Sequence, residues 1–572
     1  MGLIRVDMTK KEIHREEVPS RYRGLGGRGL TSIMINNEVP PTCDPLGEEN
    51  KLILAPGLLT GTPMANTSRL SIGAKSPLTG TIKESNVGGT VPAALGRLGI
   101  TAVVLEGRAA RGELWLLRID GNGKADFIPA GELAGMRNYA LAKRIFASYG
   151  DHHGILSIGP AGEMHMKASS IQSTDTDGRP CRAAGRGGLG AVMGAKGLKA
   201  IVVDQGGDRT GALIDIEGFK AAARTMATVI KAQPFSGKVL PALGTASLVA
   251  PVNSMGAFPC YNATRGVFDG WEDISGDAIA RRIRERGGKT THMGCSQCII
   301  HCSNEYVDEK GEFVTSSLEY ETIWSMGGMI GIHDPDTIAR LDFLCDDIGV
   351  DTMTTGVAIA VAMDAGYRRF GDGRSALSLL EEIATGTEMG KIFGDGPVSV
   401  GNYFHHTRVP VVKGQSIAAY DPRAMQGHAV TYATCPMGAD HTAGNLISAY
   451  TSGKLDPLKA EGQVEASRDA QILVALVDCV GLCLFASSAL RSAEGKEALV
   501  KAVNAKLGTR MKPEEISALG RRILKAEREF NTRAGFTRED DRLPGFFYQE
   551  PLPPHNKVVM ISDEDMDETL AF

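Results

Sequence analysis

Short apolar runs bounded by turn-forming residues recur through the first 205 residues and predict β-strands. One of these runs is followed by Gly121-Asn122-Gly123, which is typical of a tight hairpin turn. The predicted strands span residues 3–6, 12–18, 103–106, 114–119 and 200–203.

Beyond a predicted linker at Gly206-Gly207-Asp208, apolar residues recur at helical spacing. The predicted helices span residues 337–367, 375–390, 466–490, 494–507 and 513–534, the last two with charged outer faces. The tail from Pro544 is Pro-rich and then acidic, and we expect it to wrap over the surface. The pattern predicts an α+β fold, with a β-rich domain at residues 1–207 and two mostly α-helical domains at residues 208–410 and 411–572.

Glycine is the unusual feature of the composition, since it supplies 70 of 572 residues, about 12% against about 7% in average proteins. Glycine serves where main chain turns tightly or approaches a ligand closely, so the excess fits either many tight turns or a large ligand lying against backbone.

Charge and hydropathy exclude several classes of protein. The net charge of −5 argues against a nucleic-acid binder, which would show a basic excess. Residues 1–17 are charged and do not form a signal peptide. The most apolar stretch, residues 474–490, contains Asp478 and is too short to cross a bilayer comfortably. We expect a soluble cytoplasmic protein with no membrane or nucleic-acid partner.

The strongest chemical signal is the cluster Cys295-Ser-Gln-Cys298-Ile-Ile-His-Cys302. Three thiolates at this spacing can bind one iron–sulfur cluster, and a cubane needs a fourth ligand from elsewhere. Cys479 and Cys483 lie one helical turn apart, and the spacing allows either of them. Zinc is the alternative metal, and three buried structural cysteines are the alternative without a metal.

Two segments match the glycine fingerprint GxGxxG, beginning at Gly24 and at Gly185. A dinucleotide site needs this fingerprint between a strand and a helix, and the residues before each segment predict no strand. A Rossmann dehydrogenase is therefore disfavoured. Arginine and glycine amides in both segments would suit a phosphate-bearing ligand.

Several blocks together resemble the tungsten-containing aldehyde:ferredoxin oxidoreductase family, over nearly the whole chain. These blocks are Gly26-Gly-Arg-Gly29, residues 68–80, Ser85-Asn86-Val-Gly88-Gly89, Gly159-Pro-Ala-Gly-Glu163, residues 182–194 and the cysteine cluster. The resemblance implies a tungsten bis-pyranopterin, with molybdenum as the alternative metal, together with a [4Fe-4S] cluster and Mg²⁺.

The family holds its two pterins with two DxxGLx loops. Asp346-Asp-Ile-Gly349-Val-Asp351 is similar to the first, with valine for leucine, and Asp478-Cys-Val-Gly481-Leu482-Cys483 is similar to the second. The resemblance implies that Cys483 completes the cluster and that Asn86 and the carbonyl of Ala183 approach Mg²⁺. It implies cofactor contacts for Arg69, Lys75, Asn86, Gly88, Gly89, Arg182, Ala183, Gly185, Arg186, Gly187, Gly188, Asp346, Gly349, Asp351, Asp478, Gly481 and Leu482.

Two residues match the family's catalytic segments. Leu318-Glu319-Tyr-Glu321-Thr is similar to the segment that carries the active-site glutamate, and Gly438-Ala-Asp-His441-Thr to the one that carries the histidine. A glutamate can take a proton from water or from an aldehyde hydrate, and a histidine can polarise a carbonyl oxygen. The resemblance implies oxidation of an aldehyde to its carboxylic acid by Glu321 and His441.

The chain departs from the family where some members bind a dimer-bridging iron through an ExxH pair. Residues 334–346 contain neither glutamate nor histidine. The expectation is a hetero-oligomer, with ferredoxin or a ferredoxin-like subunit as electron acceptor and a flavin NAD-linked subunit as a further partner. Cys260 and Cys435 stand where the family pattern differs, and we expect both near the substrate cavity.

Two other functions compete with aldehyde oxidation. The family's benzoyl-CoA reductase branch uses the same frame to reduce an aromatic ring. An iron–sulfur electron-transfer or scaffold subunit without pterin chemistry is the alternative of another class.

Overall fold

The computed structural model describes residues 2–207 and 213–571, so Asp208 of the predicted linker lies outside the described residues. The first sheet contains β1 (Gly2–Asp7), β2 (Glu12–Glu17), β3 (Leu52–Pro56), β4 (Leu70–Lys75), β5 (Ile82–Val87) and β6 (Ile100–Glu106), in the order β2-β1-β6-β3-β4-β5. The second sheet contains β7 (Trp115–Ile119), β8 (Ala125–Pro129), β9 (His153–Ser157), β10 (Ile171–Ser173), β11 (Arg182–Ala184) and β12 (Leu198–Asp204), in the order β11-β10-β9-β12-β7-β8.

The five predicted strands are all present, with ends shifted by up to three residues. Gly121-Asn122-Gly123 forms the turn between β7 and β8, which pair antiparallel as the hairpin predicts. Apolar residues of both sheets, such as Leu54 and Leu156, pack into one core because each sheet turns an apolar face inward. Five helices accompany the sheets: α1 (Gly27–Glu38), α2 (Val91–Arg97), α3 (Asn138–Tyr149), α4 (Pro160–Glu163) and α5 (Leu189–Ala195).

The rest of the described chain is mostly helical, which confirms the α+β class. Its helices are α6 (Ile216–Ala232), α7 (Leu240–Leu243), α8 (Val249–Ser254), α9 (Gly276–Glu285), α10 (Tyr320–Ser325), α11 (Pro335–Ile348), α12 (Thr352–Asp364), α13 (Gly373–Thr385), α14 (Glu388–Gly394), α15 (Pro397–Tyr403), α16 (Gln426–Thr434), α17 (Ile447–Thr451), α18 (Gln463–Val480), α19 (Ala493–Leu507), α20 (Pro513–Arg533), α21 (Phe546–Gln549) and α22 (Asp563–Glu568). Its strands are β13 (Lys289–His292), β14 (Ser303–Val307), β15 (Phe313–Ser316), β16 (Val411–Val412) and β17 (Gln415–Ser416).

Three predicted helices are each split in two, which corrects the sequence expectation. The breaks fall at Gly349, Gly386 and Gly481, all with φ between +68° and +80°. A left-handed glycine ends a helix because the next amide can no longer continue the helical hydrogen bonds, so apolar spacing alone missed these stops.

The C-terminal tail does not only run over the surface, as the sequence predicts, because several of its side chains are buried. Phe547, Leu552, Val559 and Ile561 are buried and join the largest apolar core. Their burial fixes the tail against the helical part of the molecule.

Among the described residues, no single helix is long and apolar enough to cross a membrane, although two helix pairs, bent by 104° and 118°, reach that length together.

Candidate active site

Two helix ends with the same geometry carry the DxxG sequences. At the end of α11, the amides of Gly349 and Val350 both donate to the carbonyl of Cys345. At the end of α18, the amides of Gly481 and Leu482 both donate to the carbonyl of Val477. Because the carboxylate stands three residues before the glycine in each loop, Asp346 and Asp478 occupy equivalent positions in the last helical turn.

The glycine of each loop packs against main chain of the N-terminal sheets. A Cβ on Gly349 would lie 2.7 Å from the nitrogen of Gly159, and one on Gly481 would lie 2.7 Å from the Cα of Gly57. The resemblance predicts that these glycines let backbone approach a pterin, and in the structure they also seat each loop on protein backbone. Gly349, Gly481 and Leu482 therefore position the site without lining it.

A cavity of about 390 Å³ lies between the two loops and the N-terminal sheets. It brings together most of the residues that the sequence singled out. Those on its wall are Arg69, Asn86, Gly88, Cys295, Cys298, Cys302, Arg182, Ala183, Gly185, Arg186, Glu321, Asp346, Asp351, His441, Asp478 and Cys483. Gly89, Gly187 and Gly188 lie behind the wall, where added Cβ atoms would meet protein atoms at 2.5 Å.

Lys75 does not reach this cavity, which argues against its predicted contact with a cofactor. Its Nζ donates to the carbonyl of Pro41 at 2.6 Å and to that of Cys43 at 2.8 Å. Main-chain carbonyls solvate the buried ammonium, so Lys75 holds the segment before β3 in place.

The second glycine fingerprint lies between β11 and α5, contrary to the expectation that no strand precedes it. β11 is a three-residue edge strand that pairs antiparallel with β10. A dinucleotide fold needs a parallel strand–helix–strand unit, so a Rossmann site is still excluded here.

The first fingerprint packs against the second DxxG loop. Cβ atoms on Gly27 and Gly29 would lie 2.0 Å from the carbonyl oxygen of Asp478 and 2.6 Å from Sγ of Cys479. Between these glycines, Arg28 donates to Glu527 at 2.8 and 2.9 Å and lies 3.4 Å from Asp478. This buried pair ties α1, α18 and α20 together, and no sequence motif pointed to Glu527.

Four thiols lie on one side of the cavity. Cys483 faces it with Cys295, Cys298 and Cys302, whereas Cys479 is fully buried beside Gly29. Burial raises the pKa of Cys298 to about 11, and the thiols of Cys295 and Cys483 add to the shift. Spacing left two candidates for a fourth ligand, and the fold brings only Cys483 to the other three.

Asn66, which sequence reasoning missed, connects the two cysteine segments. Its Nδ2 donates to Sγ of Cys298 at 3.3 Å, and its Oδ1 accepts from the amide of Ile299 at 3.2 Å. Its carbonyl accepts from the amide of Cys483 at 2.8 Å. Its position two residues before the Ser68 block was the available signal.

Arg69 lies between the thiols and the second loop. Burial lowers the pKa of its guanidinium, but the charges of Cys483, Cys295 and Asp478 outweigh burial and raise it. Its Nε donates at 2.6 Å to Oδ1 of Asn86, a residue that the resemblance places near Mg²⁺.

Gly88 lies next to this cation. A Cβ there would stand 2.4 Å from Sγ of Cys295, so only glycine leaves room for the thiol.

Glu321 and His441 meet on the cavity wall. Nε2 of His441 lies 3.2 Å from Oε1 of Glu321, and their side chains keep 14% and 17% exposure, respectively. Oε2 of Glu321 accepts the amide of Ala419 at 3.0 Å. The 3.2 Å contact does not have hydrogen-bond geometry, so Oε1 of Glu321, like Nδ1 of His441, has no hydrogen-bond partner among the described residues. One acceptor and one ring nitrogen are therefore free to meet a small molecule.

Burial sets the protonation of this pair. It raises the pKa of Glu321 to about 8 and lowers that of His441 to about 4. Both side chains are neutral near pH 7, because a charge in either would lose its hydration.

Charged residues surround the pair, and two of them, Lys83 and Asp440, were not singled out by the sequence. Lys83 lies 3.2 Å from Asp440, and Arg186 donates to the carbonyl of Ala439 at 2.7 Å. Burial would raise the pKa of Asp440, but the charges of Lys83 and Arg186 outweigh burial and hold it well below its usual range. Asp440 therefore carries the fixed negative charge beside His441.

Cys260 and Cys435 do not line the cavity, although the segment that carries Cys435 reaches it. Both are fully buried, and Sγ of Cys260 donates to the carbonyl of Val267 at 3.2 Å. Met437, not Cys435, is the residue of that segment on the wall.

Matches to two family models account for most of the chain. Residues 3–205 match the N-terminal domain of aldehyde ferredoxin oxidoreductase, and residues 221–571 match its domains 2 and 3. Tungsten-containing aldehyde ferredoxin oxidoreductases of Pyrococcus furiosus and Thermococcus kodakarensis are each 34% identical to this chain, over 96% of it and 91% of their own length.

More distant matches do other chemistry. The WOR-like subunit of an aliphatic sulfonate oxidoreductase from Pyrococcus furiosus is 26% identical over 96% of this chain and 89% of its own. A chain of the BamBC active-site complex of benzoyl coenzyme A reductase shares the fold, with a TM-score of 0.81 and 21% identity. The match covers 99% of this chain and 92% of that one. The site and these matches define an oxidoreductase. The chain belongs to the aldehyde ferredoxin oxidoreductase family.

Proposed function

We propose that the protein oxidises aldehydes to carboxylic acids at a tungsten bis-pyranopterin and releases electrons through a [4Fe-4S] cluster. The observation that carries this proposal is the Glu321–His441 pair, which presents two unpartnered polar atoms to a cavity between two matching DxxG loops. The 34% identity to tungsten-containing aldehyde ferredoxin oxidoreductases supports it.

The cavity residues fit a polar, phosphate-bearing cofactor. Ser68 Oγ, Arg182 Nε and Arg186 Nε are buried without hydrogen-bond partners among the described residues. Burial raises the pKa of both Asp346 and Asp478, with the neighbouring carboxyls of Asp342 and Glu84 as the next contributions. Carboxyls in this environment would hold N–H groups of a pterin ring, and the arginines would hold phosphate.

The four cavity thiols fit a cubane cluster, whose irons take cysteine ligands. Cys295, Cys298 and Cys302 would bind three irons and Cys483 the fourth. Asn86 and Ala183 would supply oxygens to Mg²⁺ on phosphate. When bound, the tungsten group would accept two electrons and the cluster would pass them on singly.

The protein residues handle water, the carbonyl and protons. The reaction converts an aldehyde and water into a carboxylic acid, two protons and two electrons. Ionised Glu321 takes a proton from water or from the hydrate through Oε1, and Ala419 N–H holds the other oxygen. His441 is neutral, so a ring N–H can donate to the carbonyl oxygen while Asp440 stabilises any positive charge on the ring.

We propose the wider organisation from the same resemblance. The domains would be residues 1–207, 208–410 and 411–572, in a cytoplasmic hetero-oligomer. Ferredoxin or a ferredoxin-like subunit would accept the electrons, and a flavin NAD-linked subunit would serve as a further partner. Similarity to the WOR-like subunit of an aliphatic sulfonate oxidoreductase favours assembly with other chains.

The test is metal analysis of anaerobically purified protein, followed by an aldehyde assay with a viologen dye. We expect about one tungsten and four irons per chain, as for one pterin site and one cubane. Glu321→Gln should retain both metals and lose turnover, while Glu309→Gln, at an exposed loop position, should match the wild type. Full activity of Glu321→Gln would refute the assigned role.

The same preparation separates the alternatives. Reduction of an aromatic coenzyme A thioester without aldehyde oxidation would identify the benzoyl-CoA reductase branch, whose fold the chain shares. Iron without tungsten or molybdenum would identify an electron-transfer or scaffold subunit.

A further inference from the structure

A second cluster of metal-binding side chains lies at the far end of the second sheet. His153 begins β9 and His152 precedes it, and Asp204 ends β12, where it is the register partner of His153. One donor atom from each of these three residues lies within 4.8 Å of the other two. Gly159, which seats the first DxxG loop, follows the opposite end of β9, about 20 Å away along an extended strand.

The hydrogen bonding of the His153 ring leaves one of its nitrogens available to a metal. Nδ1 lies 3.2 Å from the carbonyl oxygen of Gly150, which can only accept, so Nδ1 carries the proton. Nε2 therefore keeps its lone pair, and it is buried without a hydrogen-bond partner among the described residues. A ring nitrogen fixed by a backbone carbonyl, with the other nitrogen bare, is the arrangement of metal-bound histidine.

The two carboxylate oxygens of Asp204 have different partners, as the two ring nitrogens of His153 do. Its Oδ1 accepts the amide of Gly206 at 2.8 Å, and its Oδ2 lies 3.8 Å from Nε2 of His152. The His152 side chain is 61% exposed, so it can rotate to close the distance. Tetrahedral zinc, with bonds of about 2.0–2.1 Å, needs ligand atoms roughly 3.3 Å apart. The donor atoms lie within 4.8 Å of one another, so shifts of up to about 1.5 Å would bring them together.

We propose that His152, His153 and Asp204 bind one zinc-like divalent cation, with water as the fourth ligand. Two imidazoles and one carboxylate suit zinc better than magnesium or calcium, which prefer oxygen ligands. Arg118 lies over the ring of Tyr149, which packs against His153, and its positive charge opposes a bound cation. The ion fastens the turn before β9 to the end of β12, where the chain leaves the second sheet.

The test measures zinc in the anaerobic holoenzyme after chelation and equilibrium dialysis against micromolar zinc sulfate. We expect one more zinc per chain than in the chelated sample, with iron and tungsten unchanged. Affinity should fall at least about tenfold in His152→Ala and Asp204→Asn, two changes at or near the surface that should preserve folding. His14→Ala, at another exposed histidine, is the matched control and should keep the zinc.

X-ray absorption at the zinc edge distinguishes zinc bound at this site from zinc bound by cysteine thiolates. A first shell of nitrogen and oxygen, with imidazole scattering that His152→Ala reduces, is the expected spectrum. Sulfur in the first shell, or equal zinc binding by the wild type and both ligand variants, would overturn the proposal.

Discussion

Removing Arg28 should destabilise the protein strongly, because its side chain holds three helices together. Its guanidinium is 3% exposed and makes two hydrogen bonds to Glu527, whose carboxylate is fully buried. Arg28→Met would leave that carboxylate without its cation. Breaking a buried pair from one side costs about 3–5 kcal/mol, because the remaining charge is neither hydrated nor paired.

Urea unfolding of the holoenzyme, followed by circular dichroism, measures this loss as a fall in the unfolding free energy. Lys501→Met is the matched control, since it removes an exposed i,i+4 ion pair with Glu497 and should cost less than about 0.5 kcal/mol. The double variant Arg28→Met/Glu527→Leu should recover most of the loss, because the carboxylate that Arg28 leaves behind is then gone. The reasoning is wrong if the unfolding free energy of Arg28→Met lies within about 1 kcal/mol of that of the control, well short of the cost of a broken buried pair.

Three further predictions concern the cavity. Because Glu321 acts as a base only when ionised, and burial raises its pKa to about 8, turnover should be low at pH 6 and rise through about pH 8; a flat profile over that range would contradict this. Asn66→Ala removes an N–H donor to the Cys298 sulfur, so EPR-monitored redox titration should show a lower cluster midpoint potential, and an unchanged potential would remove Asn66 from this role. Cys483→Ser should lose the [4Fe-4S] EPR signal while Cys479→Ser, its buried neighbour, retains it; the opposite result would exchange the two residues.

Residues that are close in sequence were easier to assign to the site than residues whose position depends on the fold. The spacing of Cys295, Cys298 and Cys302 is local, so the sequence alone indicated that the three thiols could bind one metal cluster. The choice between Cys479 and Cys483 depends on how Gly481 turns the chain after α18, and spacing carries no such information. Lys75 was assigned to the cofactor as part of a matching block, but alternation along β4 directs its side chain to carbonyls behind the sheet.

Five strands were predicted within a few residues because turn signals bound them, and the other strands of the two N-terminal sheets were not predicted. Helix breaks were missed because glycine is also common within apolar runs. Glu527 illustrates the remaining limit. Its partner Arg28 lies near the opposite end of the chain, and no local pattern connects a charge on α20 with one on α1.

The seating of both loops on glycine main chain also constrains how the protein matures. Gly57 and Gly159 belong to the part of the chain that is synthesised first, whereas Gly349 and Gly481 emerge later. Backbone contacts this close leave no room for a side chain at any of these four glycines. The loops can therefore dock only on the segments at Gly57 and Gly159, and the cavity between them is completed only when the early and late parts of the chain have come together.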